Sequence, residues 1–367
     1  MKIEAQTQMD SEAQTQMDSG AQAPGEIASP ADWRGPDIYG SKRWMRQLSD
    51  HAIDEIDAAL RHAQQAGIAI GELSAETFPL PRFAADLVAM RNELETGLGL
   101  QLYRGFPTAR YSVDELRMIY WGLAKHIGTA VTQSHRGDII GDVRDIGVDT
   151  TGAKGRGYTS NQRLIFHCDS ADVTGLFCIN AAKSGGRSLI VSSIAIHNEI
   201  ARTRPDLLAV LHEPYIWSWQ GQERAGELPY YSQPIYGLRA GHPASRYIRV
   251  HIDNAQAFDA VQRLTAAQIE ALDLVDTLCA RDDFHFQMDF VPGDIQFLNN
   301  HVTYHARTAF EDHDDAAAKR HLMRMWLAVP NSRPLPDGFA PFYRDVRPGV
   351  VRGGFPSAVS PPLFQTL

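Results

Sequence analysis

The stretch PGDIQFLNNHVTYHARTAF, residues 292–310, contains two short apolar segments on either side of a polar turn. Turn-forming residues at 292–294 come first, and the segment 294–300 that follows has the length and composition of a strand. His305 lies in the second segment. A strand of this kind presents alternate side chains to opposite faces. The stretch therefore predicts a strand at 294–300, followed by a strand segment that carries His305.

A second candidate segment lies upstream, where LIFHCD at 164–169 ends on a histidine and an aspartate. Because side chains two residues apart on a strand point to the same face, His167 and Asp169 point the same way. An imidazole and a carboxylate suit a divalent first-row metal, and His305 can complete a set of two histidines and one carboxylate. Alone, the pair is a weak signal, since short motifs of this kind also occur by chance on surface loops.

Further strands surround these two. After about residue 160 the sequence predicts strands at 164–167, 175–182, 188–193, 215–219, 247–252, 284–290, 294–300 and 320–329. Turn signals at 184–186 and 292–294 and a polar loop at 311–319 separate several of them, and helices are expected near 194–200 and 265–278. Many short strands with turns between them indicate a mainly β fold, here a jelly roll with helical insertions.

The N-terminal part is interpreted differently. Residues 4–11 are repeated letter for letter at 12–19, and this polar stretch cannot bury enough apolar surface to fold. We therefore expect a disordered tail over residues 1–30 and a single domain over 31–367. Helices are predicted over about 45–130, the clearest after Ser112 and Glu115, which form a capping box. The jelly-roll core is expected over about 160–330.

Composition excludes several classes of protein. The 367 residues carry a formal net charge of -9 and no dense basic stripe, which argues against binding to nucleic acid or to an anionic membrane. No apolar run approaches the ~20 residues that span a bilayer. Three cysteines without a CxxC pair predict neither a disulfide framework nor a thiolate zinc site, and they favour a reducing, cytoplasmic compartment.

The order of HCD, SGGRS, PGDIQFLNNHVTYHARTAF and KRHLMRMWL over residues 161–329 resembles the TauD/TfdA family of 2-oxoglutarate-dependent dioxygenases. The resemblance implies a double-stranded β-helix core, of the cupin type, that holds Fe(II). It also implies an enzyme that couples oxidative decarboxylation of 2-oxoglutarate by O₂, giving succinate and CO₂, to hydroxylation of a small organic substrate.

The resemblance also assigns roles to the metal ligands. His167 and Asp169 correspond to the proximal iron ligands of the family, and His305 to the distal one. His301 is a rival for the third position, because four residues on a regular strand would place it on the same face. We prefer His305, which comes directly before the stretch 306–310, and interpret His301 as structural. The carboxylate of Asp169 favours oxygenation over halogenation.

Four further residues receive roles from the resemblance. Arg320 is similar to the arginine that pairs with the distal carboxylate of 2-oxoglutarate, and Ser188 stands where the family has a threonine beside the same carboxylate. Arg324 resembles the anchor for an acidic group of the substrate, although pairing with an internal carboxylate is an equal alternative. Asn161 either borders the substrate or caps a loop. Arg307 is interpreted as structural.

Two rival classes stay open at this stage. One is a metal-dependent hydrolase or isomerase on a cupin-like barrel, which would use the three ligands without 2-oxoglutarate. The other is a binding barrel without catalysis. The substrate is expected to be a small, acidic molecule, with loops at 152–158 and 223–231 as candidate lids. Association into a homo-oligomer is left open, as members of the family form dimers or tetramers.

Overall fold

The computed structural model describes residues 25–147, 159–357 and 364. Residues 1–24 of the predicted tail and the predicted lid loop at 152–158 lie outside these ranges. The predicted tail boundary at Pro30 is too late, because the backbone amide of Ile27 donates to Oδ1 of Asn198 at 2.7 Å. Ala31 and Trp33 are buried. Composition could not reveal this packing, which depends on a residue far along the chain.

The strands are short, as the sequence predicted. In chain order they are β1 (Met45–Gln47), β2 (Leu100–Arg104), β3 (Thr129–Val131), β4 (Ile140–Val143), β5 (Leu164–His167), β6 (Val173–Asn180), β7 (Ser184–Gly185), β8 (Ser188–Ser192), β9 (Pro214–Ser218), β10 (Tyr230–Pro234), β11 (Tyr236–Arg239), β12 (His242–Ser245), β13 (His285–Met288), β14 (Ile295–Asn299), β15 (Thr303–Arg307), β16 (Phe310–Glu311) and β17 (His321–Ala328).

Two sheets form the centre of the described structure. The larger has seven strands in the order β1-β2-β14-β6-β17-β3, with β4 also paired to β17. The smaller has the order β13-β8-β15-β5, and all of its pairs are antiparallel. Strands β1 to β4 precede residue 160, and β1, β2 and the start of β3 lie within 45–130, the part of the chain that was predicted to be helical.

The inner faces of the two sheets pack against each other. Leu100, Leu298 and Leu322 of the larger sheet share one apolar cluster with Ile190 and Phe286 of the smaller sheet. Side chains at alternate positions of these strands face the opposite way and contact helices instead. Two packed, mainly antiparallel sheets with helices on their outer faces are the predicted jelly roll with helical insertions. The predicted fold class is confirmed.

Helices cover both outer faces. In chain order they are α1 (Gly35–Tyr39), α2 (Asp50–Gln65), α3 (Phe83–Thr96), α4 (Val113–Lys125), α5 (Ser193–Thr203), α6 (Pro205–His212), α7 (Arg249–Ala255), α8 (Ala266–Ala280) and α9 (Ala340–Tyr343). Helices α2 to α4 pack on the larger sheet and α5, α6 and α8 on the smaller. Short 3₁₀ turns lie at Ile70–Glu72, Thr108–Arg110, Ala316–Ala318 and Asp337–Phe339.

One predicted strand is wrong. Residues 247–252 were expected to be extended, but the chain enters helix α7 at Arg249. Ile248, Ile252 and Ala255 are buried at helical spacing, and Arg249 pairs with Asp253 one turn later at 2.9 Å. Among the described residues, no helix is long and apolar enough to cross a membrane.

Candidate metal centre and co-substrate cavity

His167 and His305 meet because β5 and β15 are antiparallel neighbours. The two residues lie directly opposite each other in the strand register, and the centroids of their imidazole rings are 4.4 Å apart. Strand β15 is hydrogen-bonded on its other edge to β8. Pairing on both edges fixes the backbone of β15, so His305 is presented from a rigid element.

Asp169 lies two residues after the end of β5 and belongs to a network of three hydrogen bonds. Its backbone amide donates to Oδ1 of Asn300 at 3.0 Å, and the hydroxyl of Thr174 donates to its Oδ2 at 2.8 Å. Nδ2 of Asn300 in turn donates to Oγ1 of Thr174 at 3.1 Å. This short network orients the carboxylate. Thr174 and Asn300 were not identified from the sequence. Asn300 could have been noticed as the second of two asparagines that follow an apolar strand.

The three predicted ligands form a cluster that fits a divalent metal. Ligand atoms of His167, Asp169 and His305 all lie within 4.8 Å of one another. Nδ1 of His167 lies 2.8 Å from the carbonyl oxygen of Ile165, which places the proton on Nδ1 and leaves the lone pair of Nε2 for a metal. Nε2 of His305 lies 3.8 Å from Oδ2 of Asp169, too far for a hydrogen bond. Two imidazoles and one carboxylate are the donor set of non-haem iron oxygenases.

The protonation states of the cluster also fit a metal. Burial lowers the pKa of His167, and it lowers the pKa of His305 to about 3, with His167 adding to the shift. Burial opposes ionisation of Asp169, but Arg324 and the two imidazoles hold the pKa of this carboxyl at about 2. At neutral pH the imidazoles are neutral and the carboxylate is charged, which are the forms that bind metals.

A cavity opens beside the two histidines. Its polar lining includes His167, Ser188, His305, Arg307, Arg320 and Arg324. Leu164, Leu176, Phe290 and Leu322 form apolar walls. Because apolar walls lower the local dielectric, charged groups in this cavity interact more strongly than they would in water. The cavity thus joins the metal cluster to a group of cations.

Arg320 lies at one side of this cavity, directly before β17, and its side chain is buried. Nη1 has no hydrogen-bond partner, and within the described ranges the guanidinium has no ion-pair partner. Burial lowers the pKa of Arg320 to about 10, which still leaves it charged. A buried guanidinium without a carboxylate requires an anion. The hydroxyl of Ser188 lies in the same cavity, 3.5 Å from Oε1 of Gln296.

Arg324 lies four residues after Arg320, within β17, and its side chain contacts the metal cluster. Its Nε donates to Oε1 of Gln133 at 2.7 Å, and its Nη1 lies 3.4 Å from Oδ1 of Asp169. Its guanidinium also packs 5.1 Å from the ring of Trp326. Both alternatives from the sequence therefore have support in the contacts, because Arg324 touches an internal carboxylate and also lines the cavity.

Two other predicted residues lie away from the cavity. The side chain of Asn161 contacts Gln162, and its carbonyl oxygen accepts from the amide of Phe310 at 3.1 Å. His301 is buried in the turn before β15, where its Nε2 lies 2.8 Å from Oδ1 of Asp172. His301 is thus outside the metal cluster, and the described contacts of Asn161 are with Gln162 and Phe310.

Comparison with known proteins identifies the family. Residues 59–326 match the model of the family described as "Taurine catabolism dioxygenase TauD, TfdA family". The chain is 30% identical over 308 residues to the FR-33289 synthase of Streptomyces rubellomurinus, covering 83% of this chain and 91% of that protein. It is also 30% identical to a taurine hydroxylase-like protein of Stachybotrys chartarum, SAT17, covering 82% and 79%.

Solved structures share the fold at lower identity. An asparagine oxygenase in complex with Fe(II), hydroxyasparagine and succinate superimposes with a TM-score of 0.62 at 16% identity, over 78% of this chain and 94% of that one. The non-haem iron oxygenase OrfP in complex with Fe and alpha-ketoglutaric acid gives a TM-score of 0.53 at 14% identity, over 77% and 94%. The chain belongs to the TauD/TfdA family of Fe(II)- and 2-oxoglutarate-dependent dioxygenases.

Proposed function

We propose that His167, Asp169 and His305 hold the iron(II) of this oxygenase, and that Arg320 and Ser188 bind the distal carboxylate of 2-oxoglutarate. The observation that carries this assignment is the buried guanidinium of Arg320, which forms no ion pair with a described residue and lies in the same cavity as the two histidines. A guanidinium pairs with a carboxylate through two parallel hydrogen bonds. The rival hydrolase or isomerase would have no use for this cation.

Each residue has a separate task in this proposal. Iron bound at the cluster supplies, with 2-oxoglutarate and O₂, the oxidising power for hydroxylation of a substrate C–H bond. Asp169 brings a negative charge to the metal, and Thr174 and Asn300 keep its carboxylate in one orientation. Arg320 orients the co-substrate along the cavity. The apolar walls exclude water from the reacting groups.

We further propose that the substrate is a small molecule with an acidic group, and that Arg324 binds this group. Among the described residues that line the cavity, Arg307, Arg320 and Arg324 carry positive charges and none carries a carboxylate. This excess of cations favours anionic ligands. The names of relatives agree with a small acid, since taurine is a sulfonate and hydroxyasparagine is an amino acid.

Release of succinate in the presence of candidate acids tests this proposal. Purified protein with Fe(II), 2-oxoglutarate and O₂ is incubated with panels of sulfonates, amino acids and other small acids, and with neutral analogues of each. The proposal expects succinate above the background rate for an acid and none for its neutral analogue, and expects no succinate from Asp169→Ala. Equal turnover of the acid and the neutral analogue would contradict the substrate class, and succinate release by Asp169→Ala would contradict the ligand assignment.

A further inference from the structure

Arg307 shares the cavity with Arg320, although the sequence suggested only a structural role for it. Its side chain is buried, and both Nε and Nη1 have no hydrogen-bond partner among the described residues. The guanidinium lies 4.8 Å from the ring of Phe310, and that of Arg320 lies 5.0 Å from the same ring. One aromatic ring thus holds two buried cations at the side of a single cavity.

The remaining nitrogen of Arg307, Nη2, donates two hydrogen bonds. Nη2 donates to the carbonyl oxygens of Ser160 at 2.6 Å and of Gln162 at 2.5 Å. These carbonyls belong to the segment 160–162, which leads directly into β5 and its metal ligand His167. The amide of Phe310 donates to the carbonyl oxygen between them, that of Asn161. One face of Arg307 therefore holds this segment while two donors on the guanidinium stay unpaired.

Two buried guanidinium groups on one aromatic ring repel each other, and neither forms an ion pair with a described residue. A carboxylate that accepts from both would offset the two charges at once and would pair one buried donor nitrogen on each side chain. A carboxylate at Arg320 alone would leave Nε and Nη1 of Arg307 buried without acceptors. The co-substrate of the proposed reaction supplies one carboxylate in this part of the cavity.

We infer that Arg307 is a second binding residue for the distal carboxylate of 2-oxoglutarate, beside Arg320, and that this contact fixes the segment 160–162. The inference rests on the proposed function, which supplies the co-substrate. Arg307 would then contact the co-substrate on one side and, through Nη2, the segment 160–162 that precedes the strand of His167 on the other. Binding of 2-oxoglutarate then tightens the hold of Arg307 on this segment.

Equilibrium binding separates this role from a structural one. Fe(II)-loaded protein is titrated anaerobically in a calorimeter with 2-oxoglutarate and with 2-oxopentanoate, which has the same keto acid but a methyl group in place of the distal carboxylate. Arg307→Met should weaken 2-oxoglutarate by about 10- to 100-fold, the loss of a charge-assisted hydrogen bond, and leave 2-oxopentanoate nearly unchanged. Arg307→Lys, which keeps a cation, should weaken 2-oxoglutarate less.

Arg187→Met is the matched control, because Arg187 lies on the nearby SGGRS turn but is half exposed and pairs with Asp289 on the surface. It should leave both affinities unchanged. Equal weakening of both ligands by Arg307→Met, or no weakening of either, would overturn the inference. Failure of the wild type to bind 2-oxoglutarate would instead overturn the proposed function on which the inference rests.

Hydrogen exchange tests the link to the segment 160–162 without any turnover. In the wild type, 2-oxoglutarate should slow amide exchange in the peptide that covers residues 159–166. In Arg307→Met, saturating 2-oxoglutarate should leave exchange in this peptide unchanged. Equal slowing in both proteins would show that the segment is fixed by another contact and would overturn this part of the inference.

Discussion

At the scale of single residues, the charges around Asp169 determine what the centre can bind. Its carboxylate faces two imidazoles, the guanidinium of Arg324 and the hydroxyl of Thr174. Nη1 of Arg324 lies 3.4 Å from Oδ1 of Asp169, so it stabilises the carboxylate, and the side chain also lines the cavity. A ligand with an acidic group would therefore bind next to the metal, where a C–H bond can be reached.

Replacement of Arg324 by alanine tests this arrangement. Arg324→Ala should raise the KM for the acidic substrate by about 10- to 100-fold, because a charge-assisted hydrogen bond is lost. The KM for 2-oxoglutarate should change much less, since Arg320 is untouched. Steady-state succinate release with each ligand varied in turn provides the measurement. A larger rise in the KM for 2-oxoglutarate than in the KM for the acidic substrate would contradict this role and would indicate that Arg324 binds the co-substrate.

The strand period makes some site residues predictable and leaves others hidden. His167 and Asp169 could be paired from their spacing, and the resemblance to a family singled out His305 and Arg320. Thr174 and Arg307 could not be found in this way, because their contacts depend on which strands become neighbours. Arg307 looked structural in sequence, and only its unpaired buried nitrogens point to a ligand.

At the level of elements, the turn between β14 and β15 is joined to the loop after β5 by a buried hydrogen-bond network around Asp172. Nε2 of His301 and Nε of Arg352 each lie 2.8 Å from Oδ1 of Asp172, three residues after Asp169. Burial lowers the pKa of His301 to about 4, although Asp172 opposes this shift. The imidazole is therefore neutral at neutral pH, and it braces the loop that carries the metal ligand.

His301 should make stability fall as the pH falls. Because its folded pKa of about 4 lies below its ordinary value of 6.5, the unfolded chain binds the proton more tightly. This contribution is fully present above pH 6.5 and is lost as the pH falls towards 4, by about 3 kcal/mol in total. His301→Gln does not titrate. Urea unfolding of the metal-free protein should show a shallower slope of stability between pH 7 and pH 5 in this variant, and identical slopes would contradict the burial argument.

Element types followed from the sequence where periodicity was clear. The capping box at Ser112 and Glu115 starts α4 as predicted, and the strands at β5, β8, β14 and β17 lie where expected. The segment 247–252 was predicted to be a strand because its aromatic and β-branched residues favour strands. It is helical instead, because helix α7 buries Ile252 and Ala255 on one face. Strands β1 to β4 were missed because their partners lie far along the chain.

At the level of the whole molecule, the C-terminal segment, residues 352–355, packs against the loop between β5 and β6, which contains Asp169. It lies beyond the residues that match the family model. The amide of Gly354 donates to the carbonyl oxygen of Ser170 at 2.6 Å, and Arg352 pairs with Asp172. The amide of Phe355 donates to the carbonyl oxygen of Thr132. The segment thus joins the β5–β6 loop to the chain that follows β3.

Replacement of Arg352 tests this connection. Arg352→Met leaves Asp172 buried with one cation fewer, and removal of one partner from a buried ion pair costs about 3–5 kcal/mol. Urea unfolding should show this loss in the free energy of unfolding. Arg347→Met is the control, since Arg347 pairs with Asp345 on the surface and such pairs contribute about 0–1 kcal/mol. Equal free energies of unfolding for the two variants would contradict the claim that the Arg352–Asp172 pair fixes the C-terminal segment.

If His167, Asp169 and His305 hold iron(II) beside a site for 2-oxoglutarate, an anaerobic visible spectrum should show it. Fe(II) and then 2-oxoglutarate are added to the metal-free protein, with His305→Ala measured in parallel. A weak metal-to-ligand charge-transfer band in the wild type, absent from His305→Ala, is the predicted result. Bound iron without such a band would contradict the co-substrate site, and a wild type that binds no iron would contradict the metal centre itself.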